Sequence, residues 1–174
     1  MRFKLAAPAA LMAVPFMLFG ANTSATEFSA KLVGFEEIPA IFSKAEGTLN
    51  LDLNRSARTL TFKLTFPKLS SQAIVSHIHF GKRHVLGGVT VFFCSSNGSG
   101  PAGTQPCPAG GGTVTGTITG GNVLAIATQD MPAQDFDALV TILDNNTAYA
   151  NVHTTNHPGG EIRGQIRRDD DDKR

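Results

Sequence analysis

The sequence predicts an all-β fold, an antiparallel Greek-key-like sandwich or barrel, with one short helix near residues 131–144. Three observations predict it. Apolar and polar residues alternate with a period of two over many short segments, as in half-buried strands. The 18 glycines and 9 prolines gather between those segments, where tight turns need them. A single segment has helical spacing, so an antiparallel β fold is favoured over an α/β one.

The two ends of the chain differ in composition from its middle. Residues 1–25 carry Arg2 and Lys4, then an uncharged apolar run and small residues, which is the layout of a secretory signal peptide. Two prolines interrupt the run and it is shorter than the roughly 20 residues that cross a bilayer. We therefore expect an exported protein, periplasmic or secreted, with no membrane span in the mature chain. Residues 27–166 then form one domain, and the apolar-free RRDDDDKR at 167–174 is predicted to be a disordered charged tail.

The charge balance excludes one class of partner. Of the 15 Lys and Arg, two lie in the predicted signal peptide. The other 13 (15 − 2) are balanced by 14 Asp and Glu, so the mature chain is close to neutral. The chain has no Trp and a single Tyr, and it lacks a block of interleaved basic and aromatic residues. A nearly neutral chain without stacking platforms has no electrostatic support for binding nucleic acid.

The two cysteines, Cys94 and Cys107, are predicted to form a disulfide. Export into an oxidising compartment makes a disulfide the default state of paired cysteines. The segment between them, SSNGSGPAGTQP, is rich in Gly, Ser and Pro. Closing a loop of about 14 residues stabilises a fold by roughly 3 kcal/mol in the chain-entropy model. The alternative, a thiolate metal ligand, is disfavoured because the histidines lie in other segments.

The strands follow one another at short spacing. In TLNLDLN, Leu49, Leu51 and Leu53 alternate with polar residues, and TLTFKLTF repeats this pattern. The link NRSAR, residues 54–58, predicts a hairpin. Further strands are predicted, in chain order, at EFSAKLVG, AIVSHIHF, VTVFFC, GTVTGTIT, TAYANVHT and GEIRGQI.

One segment, DMPAQDFDALVTILDNN, has helical periodicity. Asp130 and Pro132 suit a helix start, and Asn145 with Asn146 can end the helix. We therefore expect one short helix packed over the edge of the sheet. The apolar positions that recur at helical spacing are Phe136, Leu139, Val140 and Leu143.

Two predicted strands place histidines on the face opposite the core. In AIVSHIHFG, alternation puts His77 and His79 together, while the isoleucines take the apolar face. Residues i and i+2 lie roughly 6.6 to 7 Å apart along a strand, so two imidazoles on one face can converge on a single ion. In TAYANVHT, His153 shares its face with Tyr149 and Asn151. If the two strands are neighbours, His77, His79 and His153 form a metal site.

The turn TTNHPGG predicts a hairpin that brings His153 near Glu161 or Arg163 across the ladder. These two residues are the predicted supporting residues of the metal site. His84, after the turn GKR, and His157, in the Pro-Gly turn, are the candidates for a fourth ligand. The alternative is that the histidines are surface residues, since H-x-H alone is a weak motif. Glu161 and Arg163 would then be a surface ion pair worth under about 1 kcal/mol.

Three segments carry a family resemblance, in chain order LVGFEEIPA, SHIHFG and AYANVHTTNHPGGEIRGQI. They resemble the CHRD family, which is named after the repeats of chordin and is common in exported bacterial proteins. The resemblance runs from about Phe28 to Ile166 and implies a single-domain exported β protein. The H-x-H strand with a later histidine also looks like the copper half of Cu/Zn superoxide dismutase. That likeness implies that His77, His79 and His153 are copper ligands with Arg163 near an open position, although no matching zinc ligands are found.

These patterns predict a binding module with a histidine-based metal site, for copper more than zinc, because the Irving–Williams order favours Cu(II). The alternative is a metal-free protein-interaction or structural module of the extracytoplasmic space. A superoxide dismutase-like copper enzyme ranks last. The sequence has no G-x-S-x-G, P-loop or H-E-x-x-H motif. The expected partners are therefore a metal ion, an extracytoplasmic protein, or both.

Overall fold

The computed structural model describes residues 26–170, which form nine strands and one α-helix. The predicted signal peptide, 1–25, and the last four residues of the predicted tail, 171–174, lie outside the described residues. The elements are β1 (Thr26–Val33), β2 (Glu46–Asn54), β3 (Thr59–Lys68), β4 (Ala73–Phe80), β5 (Gly88–Ser95), β6 (Gly112–Ile118), α1 (Phe136–Asp144), β7 (Ala148–Thr154), β8 (Ile162–Gln165) and β9 (Arg167–Arg168).

The strands form one antiparallel sheet that curls into a nearly closed barrel. Their order is β5-β4-β7-β8-β1-β2-β3-β6, and β9 pairs with β1. The two ends of this order, β5 and β6, come into contact with each other. The predicted antiparallel all-β fold is confirmed, in its barrel form. Because the chain crosses over after β3, strand β4 lies beside β7 and not beside β3.

The barrel interior is filled by the apolar residues of the alternating pattern. The predicted β2–β3 hairpin is confirmed, with Leu53 opposite Leu60 and Leu51 opposite Phe62. Buried and exposed residues alternate along the whole of β2, as the sequence pattern requires. From the other side of the barrel, β4 and β7 contribute apolar residues to the same core, among them Ile78.

The helix begins later than predicted. It spans Phe136–Asp144 because Asp130 and Gln134 adopt left-handed backbone angles, with φ of 51° and 58°, which no α-helix contains. Asp135 caps the helix, and its side chain accepts a hydrogen bond from a backbone amide three residues later. The end is as predicted, with Asn145 at the C-cap.

Within residues 26–170, no helix has the length and apolarity needed to span a membrane.

The ordered chain extends past the predicted domain end at residue 166. Strand β1 pairs with β8 at a single position, so most of its edge is free to pair with other backbone. Arg167 and Arg168 fill this edge by pairing with Ser29 and Phe28, and the Ser29 hydroxyl donates to Asp169 at 2.6 Å. The prediction of a disordered tail is therefore wrong for residues 167–170.

The predicted disulfide is present. Cys94 in β5 and Cys107 in the loop before β6 are bonded, with their Cα atoms 5.0 Å apart. Both cysteines are buried and pack within the hydrophobic core. The bond therefore fastens the Gly/Ser/Pro-rich loop to the wall of the barrel.

Candidate metal centre

Three histidines from two strands converge on the outer face of the barrel. Strands β4 and β7 are neighbours, and their register places Val75 opposite His153 and His77 opposite Asn151. One ring nitrogen from each of His77, His79 and His153 lies within 4.8 Å of the others. The three residues that the sequence named as metal ligands are therefore brought together.

Two irregularities in β5 flank the histidine strand. The pairing with β4 passes from Cys94 directly to Phe92, opposite His77, and later omits Thr90. Each omission is a β-bulge, which re-aims the side chains that follow it. As a result Phe93 turns into the core, whereas the ring of Phe92 lies edge-on to His77 with centroids 5.0 Å apart. Because of the bulges, two adjacent residues of β5 have different roles: Phe92 shields the histidines and Phe93 packs in the core.

The histidine face is buried, although it lies opposite the main core. His77 and His79 are 6% and 9% exposed, and His153 is half-buried. Phe92 covers one side, and the loop after β4 covers the other with the Gly87 carbonyl. The alternative that these residues are surface histidines is therefore wrong for His77 and His79.

Backbone carbonyls fix the tautomers of two rings. His79 Nδ1 lies 2.8 Å from the Gly87 carbonyl oxygen, and His153 Nδ1 lies 2.8 Å from the Pro158 carbonyl oxygen. Because a carbonyl can only accept, each Nδ1 carries the proton and each Nε2 presents a lone pair. His153 Nε2 is buried and has no hydrogen-bond partner among the described residues. Donation of the second ring N–H to a carbonyl is how proteins orient metal-binding histidines.

Lone pairs crowd together at the centre of the cluster. His79 Nε2 is 2.9 Å from His77 Nδ1, and Asn151 Oδ1 lies 3.0 Å from His77 Nδ1 and 3.1 Å from His79 Nε2. In the neutral state a single proton, on His77 Nδ1, is available to these three atoms. The ligands of a tetrahedral ion with bonds of about 2.0 to 2.1 Å lie roughly 3.3 Å apart. The spacing of these atoms therefore suits a shared cation with little rearrangement.

The imidazoles are held neutral. Burial lowers the pKa of His77 to about 3, with further lowering from the neighbouring His79 and His153. Burial likewise lowers the pKa of His79 to about 4 and lowers the pKa of His153. Neutral imidazole is the form that binds a metal ion, so at neutral pH no histidine has to lose its charge before binding. The proton of His77 has only to shift from Nδ1 to Nε2, which frees the Nδ1 lone pair for the ion.

Arg163 supports the cluster through Tyr149. The ring of Tyr149 stacks on His79, with centroids 4.6 Å apart and planes 4° from parallel. The Arg163 guanidinium lies 3.4 Å from the Tyr149 ring centroid and donates to the carbonyls of Val85 and Lys82. Arg163 thus lies beside the cluster and holds the covering loop in place.

Glu161 lies elsewhere than predicted. Its buried carboxylate accepts hydrogen bonds from the hydroxyls of Ser43, Ser70 and Thr154 and from the Ser70 amide. Glu161 precedes β8, so its side chain leaves the histidine face and ties together two loops and β7. The prediction of a surface ion pair with Arg163 is wrong because both side chains are buried and have other partners.

Neither candidate for the fourth ligand joins the cluster, which among residues 26–170 consists of three histidines. His84 is exposed, has a φ of 61°, and lies 3.5 Å from the Glu36 carboxylate in an ion-pair position. His157 is held in the β7–β8 turn, where its carbonyl accepts from the amides of Thr154 and Gly160. Their turns direct both histidines away from the site.

Glu37 is a buried residue at the site that the sequence reasoning missed. It lies in the loop after β1, is 6% exposed, and its Oε1 has no hydrogen-bond partner among the described residues. Burial raises the pKa of Glu37 to about 7, opposed by the charge of Arg163 and a side-chain hydrogen bond from Asn151. Alternation had put Asn151 on the histidine face, but no local signal linked Glu37 to it.

Comparison with known protein families gives one match. The family model described as CHRD domain matches residues 28–166, most of the chain and all three histidines of the cluster. Neither the curated proteins nor the solved structures contain a match. The family assignment therefore rests on the sequence model.

Proposed function

The chain belongs to the CHRD domain family, and from that premise we propose that it is a metal-binding module with His77, His79 and His153 as ligands and copper as the preferred ion. The observation that carries this proposal is the convergence of three shielded imidazoles, two of them oriented by backbone carbonyls. Burying three polar rings is unfavourable unless each nitrogen has a partner. A bound cation supplies that partner, in particular to the unpaired Nε2 of His153.

The donor set supports the choice of copper. Imidazole nitrogen suits Cu and Zn, whereas Mg and Ca require oxygen ligands, and the Irving–Williams order places Cu(II) above Zn(II). Both cysteines are held in a disulfide, so thiolate ligands do not compete. When bound, copper would supply a redox-active Lewis acid. The protein would orient the three imidazoles and exclude bulk water with the rings of Phe92 and Tyr149.

An extracytoplasmic location is part of the proposal. The composition of residues 1–25 is that of a secretory signal, and the Cys94–Cys107 disulfide suits an oxidising compartment. In such a compartment the protein would meet metal ions directly. The periplasm and the extracellular space both meet this requirement.

A metal-free interaction module is the second candidate function. Large apolar side chains are exposed on two adjacent loops, with Phe42 89% and Leu86 69% exposed. Phe35 and Phe42 form an edge-to-face pair, and Arg83 on the second loop pairs with Glu36 on the first. Exposed apolar groups that are rimmed by charge are typical of protein-binding surfaces. This surface supports a protein partner independently of any metal.

A dismutase-like enzyme ranks below both candidates. Within the described part of the chain, the three-histidine group is the one cluster of His, Cys, Asp and Glu that suits a metal. A second ligand set, such as the zinc set of Cu/Zn superoxide dismutase, is therefore not found there. The likeness to that enzyme is limited to the copper half.

Isothermal titration with Cu(II) and Zn(II) tests the proposal. The His77→Ala/His79→Ala variant should lose high-affinity binding of both ions, because it removes two of three ligands. The matched control is His84→Ala/His157→Ala, which removes two histidines outside the cluster and should bind as the wild type does. Equal Cu(II) affinity in all three proteins would reject the metal site and leave the interaction module.

A further inference from the structure

Asn151 lies beside the histidine cluster of the proposed metal site. It lies opposite His77 in the β4–β7 ladder and is 4% exposed. Its Oδ1 is 3.0 Å from His77 Nδ1 and 3.1 Å from His79 Nε2. An oxygen that lies within about 3 Å of two ligand nitrogens of the cluster is placed to bind the same ion as those nitrogens.

The direction of the Asn151 amide follows from its partners. The two ends of an amide are similar in shape, so the hydrogen-bond network decides which end faces the histidines. The contacts with the histidine rings are made by Oδ1, which lies 3.0 Å from His77 Nδ1 and 3.1 Å from His79 Nε2. The N–H of His77 Nδ1 can donate to an amide oxygen but not to an NH₂ group, so Oδ1 faces the histidines. The NH₂ end is left for Glu37, whose pKa is lowered by Asn151.

Oδ1 and His79 Nε2 are both acceptors in this arrangement. His79 carries its proton on Nδ1, which donates to the Gly87 carbonyl, so its Nε2 presents a lone pair to Oδ1 at 3.1 Å. Two facing acceptors repel unless a proton or a cation lies between them. The proton on His77 Nδ1 can serve one of them at a time. A cation at the centre would satisfy both.

Glu37 is held in place by the chain around it. Gly160 lies against its carboxylate, and a Cβ atom at position 160 would collide with both carboxylate oxygens. Gly160 also has a φ of 128°, where a residue with a side chain is strained. The turn of the HPGGE segment thus closes over a glutamate from the FEEIPA segment. This packing holds the Glu37 carboxylate in place.

We propose that Asn151 Oδ1 is the fourth ligand of the centre and that Glu37 is the positioning residue that aims it. This inference rests on the proposed function and adds a selectivity to it. Oxygen is a hard ligand that suits Cu(II) better than Cu(I), whereas three imidazoles alone accept both. Asn151 therefore sets the preference of the site for the oxidised ion.

Four proteins test the role of Asn151: the wild type, Asn151→Ala, Glu37→Gln, and the exchange variant Asn151→Asp/Glu37→Gln. The exchange variant swaps acid and amide with little change in shape, so it places a charged oxygen on the ion. Cu(II) affinity is measured by titration, Cu(I) affinity by competition with a chromogenic chelator, and the ligand set by electron paramagnetic resonance of the Cu(II) protein. Asn156→Ala, an exposed asparagine in the β7–β8 turn, is the control.

Asn151→Ala should weaken Cu(II) binding at least about tenfold, with a smaller loss for Cu(I), and should change the resonance spectrum. Its midpoint potential should rise, that of Glu37→Gln should rise less, and that of the exchange variant should fall below the wild type. Wild-type Cu(II) affinity, spectrum and potential in Asn151→Ala would overturn this inference and leave the three-histidine site intact. A wild-type protein that binds no Cu(II) would overturn the proposed function and the inference with it.

Discussion

The β2–β3 hairpin and the β4–β7 pair present similar apolar faces to the barrel interior, yet their outer faces differ. Along β2 every second residue is exposed, so Asn50 and Asp52 lie in water. Along β7 six of the seven residues are buried, and the outer face of the pair holds His77, Asn151 and Tyr149. The same alternation thus produces a solvated polar face in one region and a buried polar face in the other.

The buried polar face of the β4–β7 pair is the region of this fold where function is expected. Burying a polar group without a full set of partners costs about 1–3 kcal/mol, and apolar residues would cover the barrel equally well. A buried polar face therefore lowers the stability of the fold locally, and the fold does not need it to be stable. Such conflicts are expected at functional sites.

The largest predicted effect tests whether the inner faces of the β2–β3 hairpin and the β4–β7 pair contribute equally to the stability of the core. Leu51→Ala in β2 and Ile78→Ala in β4 should each destabilise the protein by about 2–5 kcal/mol, because both side chains are fully buried in the core. Urea unfolding of the metal-free proteins measures both. A much smaller loss for Ile78→Ala would show that the β4–β7 region does not share the core of the hairpin.

The second prediction concerns pH. The folded-state pKa values of His77 and His79, about 3 and about 4, lie below the unfolded value of 6.5, so the unfolded chain takes up more protons as the pH falls. Between pH 7 and pH 5 each histidine should therefore remove about 2 kcal/mol of stability. Glu37 acts in the opposite direction, because its folded pKa of about 7 lies above the ordinary value of 4.5 and protonation stabilises the fold by about 2 kcal/mol over the same range.

The net loss in the metal-free wild type should thus be about 2 kcal/mol from these three groups. In Glu37→Gln it should grow to about 4 kcal/mol, because the opposing group is gone. Urea unfolding at pH 7 and pH 5 in the presence of a chelator measures both losses. An equal loss in the two proteins would contradict the raised pKa of Glu37.

The third prediction separates the two regions by ligand. Copper at 100 times its dissociation constant should stabilise the wild type by about 2.7 kcal/mol, because it binds the folded state alone. Leu51→Ala should keep this gain, since Leu51 lies in the hairpin, and His77→Ala/His79→Ala should lose it. Thermal or urea unfolding with and without a chelator measures the gain. Loss of the gain in Leu51→Ala would mean that the two regions are not independent.

The smallest predicted effect concerns the solvated outer face. Asn50→Ala should change stability by less than about 0.5 kcal/mol and leave Cu(II) affinity unchanged, because the side chain is exposed and remote from the histidine cluster. Urea unfolding and calorimetric titration check both expectations. A larger change would remove the contrast between the two outer faces.

Much of the fold could be read from local patterns. Alternation identified the β2–β3 hairpin and placed His77, His79 and His153 on the outer faces of their strands, because the side-chain direction of a strand follows from its period of two. Cysteine count and loop composition predicted the disulfide. The helix start was missed because two left-handed residues, Asp130 and Gln134, interrupt a stretch of acceptable helix formers.

The secondary-structure elements and the two faces of each strand could therefore be predicted locally, since they depend on neighbours along the chain. Three features arise only when the whole chain folds: β4 lies beside β7, β5 bulges around His77, and two distant segments bring Glu37 near Asn151. Strand order and loop packing depend on the summed free energy of many contacts between residues far apart in the chain. No single segment carries that information, so the burial of the histidine face could not be predicted from the pattern of any one strand.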